Sequence, residues 1–368
     1  MKFRCQTTDL VAALTIAAHA LSARTTIPIL EGILVEAEGE RLTLTCTDGG
    51  MTIVTNLPAE IEEDGRVVLP GRLFTEIIRK LPAAPVEGSL NERDVITFKC
   101  LGSRTTLAGM SASFFPERPK VEAEYFLELP QPLIKEMIRQ TSFAVSTDEA
   151  RKILTGALLE VNNGELRMVA TDGFQMAIRT ALIPTTTPTL SAVIPGRFLQ
   201  EIGKVMSDDE EQTATFMFGD NQLMITAGET TIYTSLLTGE FINYRNILPT
   251  DWTTILTVNR ENLSMCVDRA SLMAREGKNN IIKFSIAEEN VTITSNSERG
   301  DVLEELPVIQ EGVDLDIGFN VRYVTDALRA IADETILMNF VSSIRPCVLR
   351  PIEGESFTYV LLPVRLNV

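Results

Sequence analysis

The sequence predicts an α+β protein assembled from three copies of one unit, each with two helices packed on antiparallel sheet. Three observations lead there. A short amphipathic helix is written three times, as "LPGRLFTEIIRKL" from Leu69, "IPGRFLQEIGKVM" from Ile194 and "FNVRYVTDALRAI" from Phe319, which spaces Arg72, Arg197 and Arg322 by 125 residues each. An alternating strand ending in a polar turn recurs at nearly the same interval, in "LTLTCTDGGM", "LRMVATDGFQM" and "VTITSNSERG", placing Asp48, Asp172 and Ser297 in one role. A polar or proline-marked start followed by an apolar stripe opens each copy, and fixed-interval repetition of this kind signals a repeated structural unit.

The opening segments are "TTDLVAALTIAAHAL", "LPQPLIKEMIRQTSF" and "TVNRENLSMCVDRASLM". Leu10, Leu14, Ala17 and Leu21 fall at helical spacing, as do Leu133, Met137 and Ile138. Thr8 or Asp9, Gln131–Pro132 and Asn259 are suitable start signals. "RLTLTC", "ELRMVA" and "NVTITS" alternate as half-buried strands do. In the second helices, Phe74, Ile77, Ile78 and Leu81 make one apolar face, and Tyr323, Val324, Ala327, Leu328 and Ile331 another. Helices are therefore expected over 9–24, 71–81, 131–144, 197–206, 260–275 and 320–332. The proline-bearing stretches "FPERPKVEAEYF" and "NILPTDWTT" lack a helical stripe and mark boundaries, giving domains 1–122, 123–249 and 250–368. Sheet edges left at the ends of each unit favour joining units edge to edge.

Composition narrows the function. There is one histidine, His19, in an alanine-rich helical run, which removes most His-based catalysis and His-rich metal sites. Five cysteines without CxxC or metal-like spacing predict free thiols in a reducing compartment. No apolar run is long enough to span a membrane and the start "MKFRCQTTDL" lacks the apolar stretch of a signal peptide, so a cytoplasmic location is expected. The aspartates of "CTDGG" and "ATDGF" have no partner acid or base at matching positions in all copies. There is no phosphate loop, and nothing calls for a metal or cofactor. Asp–Gly after a strand is more simply a turn, with the carboxylate capping the backbone and glycine at positive φ.

The formal net charge is −17, which argues against nucleic acid if taken as an average. The six expected helices carry thirteen basic against seven acidic residues, a net of +6, so the remainder carries −23. Two readings fit: helix surfaces that favour Arg and Lys, or a segregated basic surface on an acidic body.

The order and spacing of "RTTIPIL", "TCTDGGM", "VATDGFQMA", "GEFINYRNILP", "FNVRYV" and the C-terminal "YVLLPVRL" resemble the bacterial DNA polymerase III β subunits, the sliding clamps, over the whole chain. The resemblance implies three DNA-clamp domains per chain and a head-to-tail homodimer, hence six domains in a ring with helices around the hole. Twelve helices packed side by side at about 9–10 Å give a hole roughly 35–38 Å across, enough for duplex DNA with a layer of water. It implies a non-enzymatic processivity factor with sequence-independent DNA contacts through Arg24, Arg72, Arg197 and Arg322.

The resemblance also implies a pocket between the second and third domains for short linear peptides of polymerases, the clamp loader and repair proteins. Its positions here are Leu154, Thr171, Gly173, Phe174, Gln175, Met176, Ile242, Asn246, Ile247, Val360, Leu362, Pro363, Val364, Arg365 and Leu366. Phe174 and Gln175 stand where the family commonly has His and Arg, Ile242 replaces a proline and Asn246 an arginine, and Asn367–Val368 extend the chain past Leu366. A more apolar, less basic pocket follows. The dimer interface is assigned to Leu107, Leu272 and Met273. The competing readings are an enzyme and a protein-only scaffold that never touches DNA.

Overall fold

The computed structural model describes residues 1–22, 25–122, 124–184, 189–277 and 280–366. Among these residues lie six α-helices: α1 (Thr7–Ala17), α2 (Gly71–Arg79), α3 (Gln131–Thr141), α4 (Gly196–Val205), α5 (Arg260–Glu276) and α6 (Val321–Ala330). All six expected helices form, with shifted ends. The first is shortened most: it tightens into a 3-10 turn over Ala18–Ala20, and Leu21 is extended (φ −75°, ψ 124°), so Leu21 leaves the predicted stripe. Arg24 lies outside the described residues. On the observed bounds the helices hold eleven basic and eight acidic residues, because Arg24 and Lys80 fall outside and Glu276 inside. The helical excess is thus +3, smaller than the sequence suggests.

The second helix of each copy answers to its local sequence. Phe74 and Ile78 of α2 are fully buried, each contributing about 1.5–3 kcal/mol, and Phe74 stacks on Phe98 at 5.3 Å. The Pro–Gly entry exists because the backbone approaches its neighbours closely. A Cβ at Gly71 would stand 2.5 Å from Leu21 Cδ1, and one at Gly196 would stand 2.6 Å from Val145 Cγ1. The third copy has Asn320–Val321 instead, and there the Asn320 side chain caps α6 by accepting from the Arg322 amide at 3.0 Å. Asn259 caps α5 through the Asn262 amide, as its sequence position suggests.

Among the described residues the strands pair antiparallel in four sheets of five, eight, nine and four strands. Contacts divide the chain into two compact units, Met1–Lys135 with Glu201–Leu236, and Glu136–Gln200 with Leu237–Val368. The first unit holds the five- and eight-stranded sheets, the second the nine- and four-stranded ones. The two large sheets are each made from parts of two sequence repeats. In the first unit, Thr230–Ser235 pairs with Met51–Pro58, with Thr230 opposite Thr55 and Thr234 opposite Met51. In the second, Phe357–Leu361 pairs with Gln175–Leu182, with Leu361 opposite Gln175 and Phe357 opposite Arg179. Edge-to-edge joining of repeats, expected from their open edges, therefore occurs twice in the chain.

The single histidine has a structural partner. His19 Nδ1 lies 2.7 Å from Glu201 Oε2, both half-buried, so the turn after α1 is tied to α4 within the first unit. The five cysteines are free and buried. Burial pushes the Cys5 thiol up to about 12, which leaves it unreactive near neutral pH.

Candidate docking groove and nucleic-acid interface

The polar turns are Asx turns. Asp172 Oδ1 accepts from the Phe174 and Gln175 amides at 2.8 and 2.9 Å, and Gly173 has φ of 92°. Asp48 does the same for Gly50 and Met51, with Gly49 at φ 91°. Ser297 Oγ accepts from the Arg299 amide at 3.2 Å in the third copy. The carboxylates are engaged in holding turns, the reading their sequence favours over catalysis.

In the second unit the turn sets Phe174 on the surface, 58 % exposed, its ring stacked on Tyr323 at 6.4 Å with planes 11° apart. The Phe174 carbonyl accepts from the Leu362 amide at 2.9 Å, which ties the C-terminal segment to the turn. Met176 and Val360 are paired across the strand junction and both buried. They belong to an apolar cluster with Leu158, Val169, Ile178, Val193, Tyr244 and Val348, flanked by half-buried Ile153, Leu237, Phe241, Ile242, Leu248 and Trp252.

Of the residues assigned from the sequence, the structure thus brings Met176, Ile242 and Val360 together, with Leu154 buried beside Ile153. Thr171 is buried, its hydroxyl donating to the Gln175 carbonyl at 2.6 Å. Gln175 is itself buried, its amide donating to the Phe143 carbonyl at 3.4 Å and to Asp172 Oδ2 at 3.3 Å. Asn246 and Ile247 lie exposed on a 3-10 turn over Tyr244–Ile247.

The tail separates from this cluster. After Leu362 and Pro363, the Val364 amide donates to the Gly318 carbonyl at 2.8 Å. Leu366 packs so closely that a Cβ at Gly318 would sit 2.7 Å from its Cδ2. Val364, Arg365 and Leu366 line a different cavity, of about 1340 Å³, against the four-stranded sheet. Asn367 and Val368 lie outside the described residues.

Sequence reasoning missed most of the cluster floor. Its signal was present in the alternation of "ALLEV" and "QMAIR", in "GEFINYRNILP", which supplies Phe241 and Leu248, and in the boundary stretch "NILPTDWTT", which supplies the sole tryptophan. That segment is pinned by Arg245, whose Nη2 donates to Glu160 Oε2 at 2.7 Å, and by Tyr244, whose hydroxyl donates to the same oxygen at 2.8 Å. Burial alone pushes the Glu160 carboxyl up, but these hydrogen bonds outweigh it and hold the group below its ordinary value.

The repeated arginines each occupy the second position of their helix and are exposed. Arg72 pairs with Glu76 at 3.4 Å and Arg322 with Asp326 at 3.5 Å, while the Arg197 guanidinium lies over the Phe198 ring at 4.3 Å. Pairs this exposed hold the side chain weakly.

The interface residues are placed unequally. Leu272 is 61 % exposed on α5, and Met273 is half-buried, its sulfur accepting from Ser297 Oγ at 3.7 Å. Leu107 is only 6 % exposed, opposite Ile96 in its own sheet, so its side chain adds core rather than free surface. Its strand, Ser103–Ala108, is nevertheless the edge of the five-stranded sheet, and Gly300–Pro307, carrying exposed Leu303, is an edge of the four-stranded sheet.

No helix among the described residues is long and apolar enough to cross a membrane, and those residues hold no metal-like group of His, Cys, Asp and Glu.

Comparison with known proteins agrees along the whole length. Profiles of the DNA polymerase III beta subunit match as N-terminal domain over residues 1–119, central domain over 128–243 and C-terminal domain over 245–365. The chain is 36% identical to a beta sliding clamp of Staphylococcus epidermidis over 356 residues, 94% of each chain. It is 35% identical to the beta sliding clamp of Bacillus subtilis over 377 residues, covering 99% of this chain and 100% of that one. The crystal structure of the DNA polymerase sliding clamp from Bacillus subtilis superposes with a TM-score of 0.95 at 34% identity, over 100% of both chains. Three repeats, their edge-joined sheets and these matches together place the chain in the DNA polymerase III beta subunit family.

Proposed function

We propose that the protein is a DNA sliding clamp: a head-to-tail homodimeric ring of six domains that encircles duplex DNA and tethers the replicative polymerase for processive synthesis. In this reading each chain supplies domains 1–122, 123–249 and 250–368. It acts by topology and electrostatics, not by catalysis.

One observation carries the reading. The strand junction that joins the first repeat to the second is repeated between the second and third, and the two strands that would make the same junction once more are both unpaired edges, Ser103–Ala108 and Gly300–Pro307. A second copy of the chain is the partner that satisfies both edges at once, and repetition of one rotation closes into a ring. The register follows from the repeat: moved on by one copy, the Gln175–Leu361 pair becomes Gly300–Leu107. Arg104 on one edge then runs beside a strand bearing Asp301 and Glu305 on the other, and exposed Leu272 and Leu303 gain cover.

Retention by a closed ring needs no deep well at any DNA register. Arg24, Arg72, Arg197 and Arg322 serve as phosphate contacts, which hold without reading sequence. The acidic remainder of the chain repels DNA and leaves the helix side as its favoured place. The apolar cluster of Met176, Ile242 and Val360, with Phe174, Leu362 and the exposed Tyr244–Ile247 turn around it, takes short peptide motifs of the polymerase, the clamp loader and repair proteins. Assembly on nicked circular DNA, followed by linearisation, tests the proposal: a clamp stays on circles and runs off ends.

A further inference from the structure

One row of side chains on the outer face of the eight-stranded sheet is apolar without belonging to the core. In the second repeat Phe126 lies opposite Met217, Met217 opposite Met224 and Met224 opposite Tyr233, one step on each of four neighbouring strands. The residues that alternate with them along the same strands, Leu127, Phe216, Phe218, Leu223, Ile225 and Ile232, are buried, so the row points away from the core. Phe126 is 59 % exposed, and both methionines and Tyr233 are half-buried.

The frame does not require an apolar row. In the first repeat the same ladder reads Lys2, Ser89, Thr97 and Thr106, with Lys2 standing as far before α1 as Phe126 stands before α3. In the third repeat it ends in Val348 and Val360, both members of the apolar cluster at the candidate peptide groove. Charge supplies an independent observation. The four strands of the second repeat and their turns, over 125–130 and 213–235, carry Glu128, Asp220 and Glu229 and no lysine or arginine. Glu128 follows Phe126 on the outer face, and Asp220 lies in the turn beyond Met217 on the other side of the row, both exposed. At the junction end of the row, Arg41 and Arg118 line a cavity with Tyr233.

We propose that this face docks a basic amphipathic helix of a partner protein, its apolar side chains on the Phe126–Met217–Met224 row and its lysine or arginine flanks toward Glu128 and Asp220. A helix suits the face better than an added strand because the row crosses the strands. Side chains on successive strands step by about 4.8 Å, near the roughly 5–6 Å between neighbours on one helix face, whereas a strand paired along the sheet edge would reach Phe126 alone. Unbranched methionines adapt their shape to such a partner. Its basic end belongs over Phe126, away from Arg41 and Arg118. The inference is independent of the DNA and peptide-groove readings.

The test uses the full chain and fluorescence anisotropy with a labelled peptide of about eighteen residues, long enough to form a helix, with leucines at i, i+3, i+4 and i+7 and lysines elsewhere. A scrambled peptide of the same composition serves beside it. The amphipathic peptide is expected to bind and the scrambled one to bind at least about tenfold more weakly. Met217→Ser/Met224→Thr introduces the residues that the first repeat carries at these places, so the frame accommodates them, and it should weaken binding by about tenfold or more. Phe126→Lys changes an exposed side chain, leaves the fold untouched and should weaken binding to a similar degree. The control Leu182→Ser removes a leucine that is 83 % exposed elsewhere and should leave affinity unchanged. Absence of binding overturns the proposal. So does equal binding of the scrambled peptide, which means bulk charge alone, and so does equal loss in the control. Binding that survives both row variants but is lost on removing residues 362–368 places the peptide in the other groove and overturns it too.

Discussion

The hydroxyls of Thr55 and Thr230 meet at 3.0 Å across the strand junction that joins the first repeat to the second, both side chains buried. Among the described residues neither hydroxyl makes a second side-chain hydrogen bond, so each depends on the other. Thr55→Val should destabilise the chain by about 1–3 kcal/mol, because it strands the Thr230 hydroxyl in the sheet. The double variant Thr55→Val/Thr230→Val should recover most of that loss. Denaturant unfolding of the two single variants and the double variant checks the pattern; additive losses would show that the pair contributes nothing as a pair.

Exposed Leu272 and buried Leu107 should behave differently when changed. Leu272→Lys should yield a folded monomer in analytical ultracentrifugation at concentrations where the parent is dimeric. Leu107→Ala should lower unfolding stability by about 2–5 kcal/mol, because it opens a hole beneath Ile96. A Leu272→Lys chain that remains dimeric would remove the helix from the proposed interface.

The acid limb of stability should contain a contribution from Glu160. Its carboxyl is held below the ordinary 4.5 by Arg245 and Tyr244, against a burial effect in the opposite direction. A depressed folded value means the contribution is complete above pH 4.5 and is lost as pH falls through the folded pKa. Glu160→Gln should therefore be less stable than the parent near neutrality and converge with it at low pH. Parallel stability curves down to low pH would refute this linkage.

In the apolar groove, Met176→Lys places an ammonium beside Val360 and should reduce the affinity of polymerase-derived peptides at least tenfold, about 1.4 kcal/mol. Removing residues 362–368 should abolish that binding, since the Leu362 amide holds the Phe174 turn. Fluorescent-peptide titration checks both. Unchanged affinity in both variants would move the peptide site elsewhere.

How much of this was legible in the sequence depends on the range of the contacts. The α6 segment lacks Pro–Gly, yet its position and the arginine were readable from the 125-residue interval, since local capping by Asn320 replaces the glycine entry. The Asp172 turn was readable for the same reason: its hydrogen bonds stay within three residues. The end of α1 was not, because an alanine run favours helix throughout and only packing decides where it tightens. The tail was not either. Within "YVLLPVRL" the strand ends at Leu361 and Val364 pairs with Gly318, a contact no local pattern encodes. Leu107 looks like interface by position alone, and its burial depends on which face of an edge strand turns inward.

The arginines supply the electrostatic part of the account. Arg72→Glu, Arg197→Glu and Arg322→Glu should each reduce DNA retention and flatten its salt dependence while leaving the dimer intact. The most direct measurement is of topology itself. The protein is assembled on nicked circular duplex DNA by its clamp loader, freed of unbound chains by gel filtration at moderate salt, and the DNA is then cut once. The account predicts that the protein co-elutes with intact circles and is released within minutes of linearisation. Failure to be retained on circles, or retention that linearisation does not relieve, would contradict it.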